Sequence, residues 1–380
     1  MEALWKPMTY IHELNDWPKF RWNEAALVPL LADSRHRQGR LLGHMEALGF
    51  RIRSEASLTM LTADIIKSSA IEGEFLEPQQ VRSSLARKLG IDIGGTPPVS
   101  RHVEGIVEMM LDATQKYTDP LTRERLCSWH AALFPTGHSG MRKITVGNWR
   151  APAAGPMQVV SGALGREKIH FEAPAAHRLE TEMAAFMDWF NAPSGADPVL
   201  KAALAHFWFV TIHPFEDGNG RIARAIADMA LTRADGTMER FYSMSTQIEA
   251  ERKTYYQILE STQKGGLDIT PWLKWFLECL GRAFERATGT LTGVLHKARQ
   301  WDHLSQTPIN TRERELINRL LDGLEGNLTT SKYAKLAHCS TDTALRDIQH
   351  LLDLGVLAKN PGKGRSTCYR LVNQPQAEGL

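Results

Sequence analysis

A predicted helix at residues 198–212 ends in the string HFWFVTI, which is apolar on all sides, and a His-Pro pair follows it directly. A helix that is apolar around its circumference is stable only in the interior of a domain. The residue before a proline is disfavoured in the α region, so this helix should end at about His213. Strong helix formers resume at about 221–232. The sequence therefore predicts two central helices joined by one short loop.

Helical spacing of apolar residues recurs along the chain, whereas strand patterns are sparse. Gly49 is typical of a helix stop, and residues 135–176 are rich in Gly and Pro. Within that region MQVVSG and KIHFEAP predict a β-hairpin at about 157–171, and KITVGNW is a further β-like run. The prediction is a mainly α fold. Its other predicted helices cover about 23–49, 54–70, 100–115, 122–134, 176–191 and 271–290.

Composition limits the classes of protein and the compartment. The 380 residues suffice for two or three domains, and a net charge of +2 excludes a polycationic chain. Four scattered cysteines suggest a reducing compartment. The N-terminus lacks the apolar region of a signal peptide, and the longest apolar stretch, 202–212, is too short to span a membrane. We therefore expect a cytoplasmic protein without a membrane partner.

The loop between the central helices combines groups that suit a phosphate ligand. Gly218 and Gly220 allow close approach to the backbone, and the following helix directs its first N–H groups at the loop. Arg221 and Arg224 share the face of its first turn, where two cations are unfavourable unless an anion lies between them. A diphosphate or triphosphate supplies the two negative charges that this arrangement needs.

Two further side chains of the loop indicate chemistry on that phosphate. Asp217 provides a hard oxygen ligand suited to Mg²⁺ carried by a nucleotide. His213 stands at the rim, where a neutral imidazole can accept a proton from a hydroxyl group. No Gly-Lys-Ser/Thr follows the glycines, so a Walker phosphate loop is disfavoured.

The string HPFEDGNGRIAR resembles the signature of Fic-domain proteins at every motif position. The resemblance implies a protein adenylyltransferase that moves AMP from ATP, with Mg²⁺ or Mn²⁺, onto a Ser, Thr or Tyr hydroxyl of a protein. It implies the following roles: His213 as general base, Asp217 as metal ligand, Gly218, Asn219 and Gly220 as the α-phosphate cradle, and Arg221 and Arg224 as ligands of the β- and γ-phosphates.

Two other segments resemble parts of the same family. The predicted hairpin at about 157–171 is similar to the flap, which pairs with a target peptide by strand addition. The stretch 251–273 is similar to the segment that contacts the nucleoside. The resemblance implies that Tyr255, Tyr256 and Gln263 make these contacts, although the two tyrosines could equally belong to a helix core.

Residues 68–73, SSAIEG, resemble the inhibitory motif of the family, with Ser68, Glu72 and Gly73 at its defining positions. The resemblance implies that Glu72 pairs with Arg224. A carboxylate on that arginine competes with the γ-phosphate for charge-assisted hydrogen bonds. Residues 1–60 also resemble the helical extension that accompanies this motif.

Residues 311–371 resemble a winged-helix domain, with three helical patterns followed by a hairpin that has a basic tip. The segment holds ten Lys and Arg against seven Asp and Glu, and Lys359, Lys363, Arg365 and Arg370 mark the predicted wing. The third helix should face outward with Ser340, Thr341, Thr343, Arg346 and two aspartates, Asp342 and Asp347, and inward with Ala344, Leu345, Ile348 and Leu351. DNA binding and protein contact remain equal alternatives for this segment.

The predicted domains are a helical extension at 1–95, a Fic core at 96–290 and a winged helix at 305–373. Two functions compete with adenylyl transfer: removal of AMP at the same site, and a DNA-binding regulator whose core senses nucleotide. The expected partner is a protein with a hydroxyl side chain. Self-modification, DNA and a homodimer are further hypotheses.

Overall fold

The computed structural model describes residues 9–46, 48–93, 98–152, 155–162, 166–304, 307–321, 324, 326–360 and 367–372. It divides into two compact units, Met1–Leu291 and Thr292–Leu380. Among these residues, helices dominate both units and the strands form small two-stranded sheets, which confirms the predicted mainly α fold. No helix within the described ranges is both long and apolar enough to cross a membrane.

The helices that begin in the first unit are, in chain order, α1 (Glu24–Glu46), α2 (Phe50–Ile71), α3 (Pro78–Leu89), α4 (Arg101–Gln115), α5 (Arg123–Leu133), α6 (Leu179–Asn191), α7 (Pro198–Ile212), α8 (Asn219–Asp235), α9 (Met244–Ala250), α10 (Arg252–Gln263) and α11 (Thr270–His303).

The centre of the first unit is the pair of helices α7 and α8, which pack against each other. Every residue of α7 from Ala202 to Ile212 is buried, as its apolar sequence predicts. Most of α8 is buried too, including the two arginines of its N-terminal half, Arg221 and Arg224. The loop that joins the two helices is therefore held on a rigid base in the core.

The N-terminal region differs from the prediction in two places. Helix α1 ends at Glu46, and Gly49 is the N-cap of α2 rather than the stop of α1. Helix α3 was not predicted, although it carries standard boundary signals: the Glu77 side chain caps it, Pro78 opens it, and left-handed Gly90 closes it. Two of its buried residues, Ser83 and Ser84, are polar, so the apolar spacing of this helix is weak.

The Gly- and Pro-rich region contains two hairpins. Strands β1 (His138–Ser139) and β2 (Arg142–Lys143) form a minimal one, so most of the β-like run KITVGNW is not strand. Strands β3 (Gln158–Ser161) and β4 (Lys168–Glu172) pair antiparallel, with an irregularity between Val159 and Val160. The predicted hairpin is thus confirmed, and β3–β4 is called the flap hairpin below.

The second unit has its own core, and its elements are α12 (Thr311–Leu321), α13 (Thr330–Leu336), α14 (Thr341–Asp353), β5 (Leu357–Lys359) and β6 (Tyr369–Leu371). Strands β5 and β6 pair antiparallel. This element order matches the sequence pattern, while the winged-helix assignment stays a prediction. Lys363 and Arg365, at the predicted wing tip, lie outside the described residues.

Helix α14 corrects two side-chain assignments. Leu345, predicted to pack inward, is 50% exposed. Asp347, predicted to face outward, is buried and accepts hydrogen bonds from Arg312 Nε at 3.0 Å and from the Tyr333 hydroxyl at 2.9 Å. An aspartate is rarely buried without such partners, and the sequence pattern cannot show a partner from another helix. The outward face of α14 therefore carries one acidic residue fewer than predicted.

Candidate active site

The loop after α7 presents an imidazole in a fixed orientation. His213 ends the helix in the left-handed region, with φ 53°, and its N–H still donates to Phe209 O at 3.0 Å. The imidazole Nδ1 lies 3.2 Å from the carbonyl oxygen of Val210, which makes Nδ1 the donor. Nε2 is then the nitrogen that carries the lone pair, as a proton acceptor requires.

Surroundings keep this imidazole neutral. The pKa of His213 is lowered to about 4, mainly by burial and also by the charge of Arg150, against the opposing effects of Val210 O, Glu72 and Asp217. At neutral pH the side chain is thus unprotonated. An uncharged imidazole at the rim of an anion-binding loop can act as a general base.

Side chains within and below the loop fix its shape. The Asn219 carboxamide accepts from Phe215 N–H at 3.0 Å and donates to Phe215 O at 2.8 Å. The Phe215 ring stacks on His130 with centroids 4.1 Å apart. Gly218 has φ 78°, and a Cβ there would stand 2.9 Å from the Phe134 ring. The Asn219 side chain thus closes the loop in this structure, and its phosphate contact stays a prediction.

The two acids of the loop contact the β1–β2 hairpin. Asp217 accepts from the Ser139 hydroxyl and, at 2.6 Å, from Gly218 N–H. Glu216 accepts from the Thr145 hydroxyl at 2.7 Å and from Arg142 at 3.1 Å. Among the residues that the structure describes, no group of three or more His, Cys, Asp and Glu could hold a metal ion. One carboxylate and one hydroxyl fit a hard cation that arrives with its phosphates.

Arg224 is held by three acceptors from the last turn of α2. Its Nε donates to Ser68 Oγ at 2.9 Å, and its Nη2 donates to Ser68 O and to Glu72 Oε1, both at 2.8 Å. Burial by itself would lower the pKa of Arg224, but the Glu72 carboxylate raises it on balance. Nη1 of the same guanidinium is buried without a hydrogen-bond partner among the described residues. The pairing of Glu72 with Arg224 is the geometry that the family resemblance implied.

Backbone geometry delivers Glu72 to this position. Helix α2 ends at Ile71, and Gly73 adopts φ 83°, a left-handed conformation that favours glycine. Glu72 Oε1 lies against Gly220, well within contact distance of the Cβ that any other residue would carry there. The carboxylate therefore occupies the N-terminus of α8, where an anion is expected to bind.

Arg221 is held by a second carboxylate that the sequence analysis missed. Its Nη1 donates to Glu74 Oε2 at 2.7 Å, and Glu74 Oε1 contacts Nε2 of His102 on α4. The guanidinium also lies over the Phe134 ring, 5.1 Å from its centroid. The signal that the sequence offered was the position of Glu74, an acidic residue directly after Gly73, which ends the helix. The two arginines need two negative charges, and Glu72 and Glu74 provide one each.

The predicted nucleoside residues lie at different depths. Tyr255 is 1% exposed, and its hydroxyl lies 2.9 Å from Nε2 of buried His206. Gln263 is also buried and donates to Thr211 Oγ1 at 3.2 Å. Tyr256 is 38% exposed, and its hydroxyl donates to Ile71 O at 3.3 Å and Glu72 Oε2 at 3.4 Å. Of the three, only Tyr256 presents its ring at the surface beside the loop, so the predicted contacts of Tyr255 and Gln263 stay predictions.

The flap hairpin is attached to the helix that carries these tyrosines. His170 on β4 contacts Glu260 on α10, with Nδ1 2.6 Å from Oε2, and its Nε2 lies 2.6 Å from the Ser161 hydroxyl on β3. Val160 is 48% exposed and Ile169 is 44% exposed, and the two residues pair across the hairpin. The flap hairpin is thus attached to α10 and exposes two apolar side chains.

Comparison with known proteins identifies the loop and the segments around it. Residues 120–231 match the family model of the Fic/DOC family, a range that contains α7, the loop after it and most of α8. This chain is a Fic-domain protein. Residues 10–91 match a second model, described as a domain of unknown function (DUF4172), and this range contains the segment 68–73 that resembles the inhibitory motif.

Curated relatives and solved structures extend the comparison. The Fic-domain protein is 27% identical over 232 residues to Protein adenylyltransferase Fic of Drosophila willistoni, covering 58% of this chain and 40% of that protein. It is 35% identical over 121 residues to Protein adenylyltransferase Fic of Nematostella vectensis, covering 31% of this chain and 26% of that protein. The chain thus spans less than half the length of these relatives.

A Fic family protein from Desulfovibrio desulfuricans G20 has a similar structure, with a TM-score of 0.54 and 22% identity over 92% of this chain and 97% of that one. This likeness concerns the fold alone.

Proposed function

We propose that this Fic-domain protein is a protein adenylyltransferase that moves AMP from ATP to a Ser, Thr or Tyr hydroxyl of a protein. The observation that carries the proposal is the His213 imidazole, whose Nδ1 donates to Val210 O, at the loop that leads into α8 with its buried Arg221 and Arg224. This arrangement joins a base to a site for two phosphate charges. The names of the curated relatives support the same reaction.

In the proposed reaction, Nε2 of His213 accepts the proton of the target hydroxyl as its oxygen forms a bond to the α-phosphorus. The bond from that phosphorus to the bridging oxygen breaks, and pyrophosphate leaves. Arg221 and Arg224 bind the β- and γ-phosphates, and backbone N–H groups at the start of α8 bind the α-phosphate. Asp217 would hold Mg²⁺ or Mn²⁺, which supplies neutralisation of phosphate charge.

The inhibitory contacts make this protein self-restrained in the proposed function. Both phosphate-binding arginines are paired with carboxylates, Glu72 and Glu74, while His213 keeps its lone pair. A triphosphate must displace these carboxylates to bind in a productive position. The contacts of Glu72 and Glu74 thus oppose nucleotide binding and leave the His213 imidazole able to accept a proton.

The test uses purified protein with ATP, CTP, GTP and UTP, each with Mg²⁺, and intact mass as the readout. Glu72→Gly should add AMP to itself from ATP faster than the wild-type protein does. His213→Ala in the same background should lose transfer by roughly 10²–10⁴-fold, because a general base contributes about that factor. Glu55→Gly is the matched control, since Glu55 lies on α2, the helix that Glu72 follows, but pairs with Arg82. Equal labelling of Glu72→Gly and the double variant rejects the mechanism.

Removal of AMP at the same site is a second candidate function. Glu72 contacts Arg224 through Oε1, while Oε2 lies near the Tyr256 hydroxyl and its side chain stays 32% exposed. A carboxylate in this position can orient a water molecule toward a modified hydroxyl. Self-modified Glu72→Gly protein, freed of nucleotide, provides the substrate. Loss of AMP on addition of wild-type protein, but not of Glu72→Gly protein, supports the reverse reaction.

A further inference from the structure

Arg150 is a buried arginine whose hydrogen bonds to the catalytic loop, within the described part of the chain, go to carbonyl oxygens. Its side chain is 4% exposed, and its Nε donates to His213 O at 2.9 Å. Its backbone N–H donates to Pro214 O at 2.9 Å, and its Nη2 donates to Pro174 O. Among the hydrogen bonds and ion pairs of the described residues, none joins Arg150 to a carboxylate.

A buried cation without a carboxylate is costly, so a structural role alone is a weak explanation. Burial lowers the pKa of Arg150 to about 10, which records the cost of burying this charge. A neutral side chain could satisfy one or two of the same carbonyls. The guanidinium differs in presenting five donors in one rigid plane, which allows it to join carbonyls from separate segments.

The segments that Arg150 joins are the two between which a target hydroxyl must fit in the proposed reaction. His213 adopts φ 53°, a left-handed conformation that is unfavourable for a non-glycine residue. The two hydrogen bonds to the carbonyls of His213 and Pro214 stabilise that conformation. Pro174 lies two residues after β4, at the base of the flap hairpin.

We infer that Arg150 is a positioning residue for group transfer, which holds the His213 imidazole and the base of the flap hairpin in one fixed geometry. The inference rests on the proposed function, since it assigns Arg150 to the reaction at that site. A target strand on the flap hairpin then presents its hydroxyl at a constant distance from Nε2. A misplacement of about 1 Å in such an arrangement can cost roughly 10²-fold in rate.

The charge of Arg150 has a second effect on the same imidazole. Three charged groups act on His213: Arg150 favours the neutral form, whereas Glu72 and Asp217 favour the protonated form. Release of the inhibitory contact moves Glu72 away, and Arg150 and Asp217 then remain. Loss of Arg150 should therefore raise the pKa of His213 toward its ordinary value of 6.5.

The experiment compares Arg150→Met, Arg150→Lys and Arg233→Met, all in Glu72→Gly protein. Arg233 is the matched control, because it donates to the carbonyls of Tyr117 and Asp119 and contacts neither the loop nor the flap hairpin. For Arg150→Met we expect kcat to fall roughly 10²-fold, with KM for ATP within about twofold. Its rate at pH 6 should fall further than its rate at pH 8, because more of the base is protonated.

Arg150→Lys keeps the charge but loses the planar set of donors. It should recover part of kcat and leave the pH profile unchanged. If circular dichroism shows that Arg150→Met does not fold, the inference is tested with Arg150→Lys alone. A full kcat in Arg150→Lys would contradict the need for a planar group of donors. An unchanged kcat and pH profile in folded Arg150→Met also overturns the inference, as does an equal loss in Arg233→Met.

A direct titration separates this inference from the proposed function. Histidine labelled at Cε1 and assigned with His213→Ala reports the protonation of His213 by NMR without any substrate. A raised pKa in Arg150→Met supports the positioning and charge role, and an unchanged value contradicts it. Absence of transfer by Glu72→Gly protein with every nucleotide rejects the proposed function but leaves this titration informative.

Discussion

The carboxylate of Glu72 occupies the position beside the Gly220 Cα that the Cβ of any other residue would take. The same Oε1 accepts from Arg224 at 2.8 Å. Absence of a side chain at position 220 thus permits the inhibitory contact as well as the approach of a phosphate. Inhibitor and nucleotide compete for one surface of backbone at the start of α8.

Gly220→Ala should therefore destabilise the wild-type protein but not Glu72→Gly protein. In the wild-type protein the new methyl group displaces a charged group, at a cost of about 1–3 kcal/mol. Without Glu72 the same change should be neutral or stabilising, because alanine is the better helix former. Urea unfolding of the four proteins measures the coupling. Equal destabilisation in both backgrounds would show that Glu72 does not occupy this space in solution.

Glu74→Gln should increase the affinity for triphosphate, because it releases Arg221 from a charged partner. A charge-assisted hydrogen bond contributes roughly 1.5–3 kcal/mol, so an increase of several-fold is expected even after solvent screening. Calorimetry with ATP in a His213→Ala background avoids turnover. Glu77→Gln, in the same segment but at the N-cap of α3, is the control and should have no effect.

Arg221→Ala should weaken binding of the triphosphate far more than binding of adenosine. Loss of the charged contacts should lower the affinity for ATP by roughly 10- to 100-fold. The affinity for adenosine should change little, because adenosine has no phosphate for Arg221 to contact. Calorimetry on Glu72→Gly protein measures both ligands. Equal weakening of the two would mean that Arg221, which lies over the Phe134 ring, acts through packing instead.

His130 should make the folded protein sensitive to acid. Burial lowers its pKa from 6.5 to about 4, so the unfolded chain takes up the proton first as the pH falls. Its contribution to stability is complete above pH 6.5 and is lost toward pH 4, by up to about 1.4 kcal/mol per pH unit. His130→Asn can still accept from Gly147 N–H but cannot titrate. Its free energy of unfolding should start lower at pH 7 and decline less between pH 7 and 5.

The second unit should bind DNA weakly if it is a winged helix. Asp347 is neutralised by Arg312, so the exposed face of α14 repels phosphate less than the sequence indicated. With three or four wing cations the expected log–log salt slope is about −3. Fluorescence anisotropy on random duplex DNA measures it, and Lys363→Ala with Arg365→Ala should abolish it. Absence of binding at low salt would favour a protein-contact role.

Local sequence was sufficient where one segment determines its own structure. The apolar string before His213 fixes a buried helix and its end, and the spacing of Arg221 and Arg224 in one helical turn indicates a site for two negative charges. The predicted mainly α fold and the flap hairpin were confirmed for the same reason.

Contacts between residues that are distant in the sequence could not be predicted from these patterns. Glu74 meets Arg221 across 147 positions of sequence, and Asp347 is buried because Arg312 and Tyr333 happen to face it. Helix periodicity describes one element and contains no information about the charges on its neighbours. Arg150 was missed for the same reason, since its partners are backbone carbonyls that every sequence provides.

The end of α2 has a kinetic consequence. Ser68, Glu72 and Glu74 all belong to one terminal turn and its exit, and helix ends open locally at a free energy below that of global unfolding. The resting protein should therefore keep a low basal activity, because a small fraction of the molecules has both Arg221 and Arg224 released from their carboxylates at any instant. The ratio of the resting rate to the fully released rate then gives that fraction. Each tenfold difference between the two rates corresponds to about 1.4 kcal/mol in the free energy of opening.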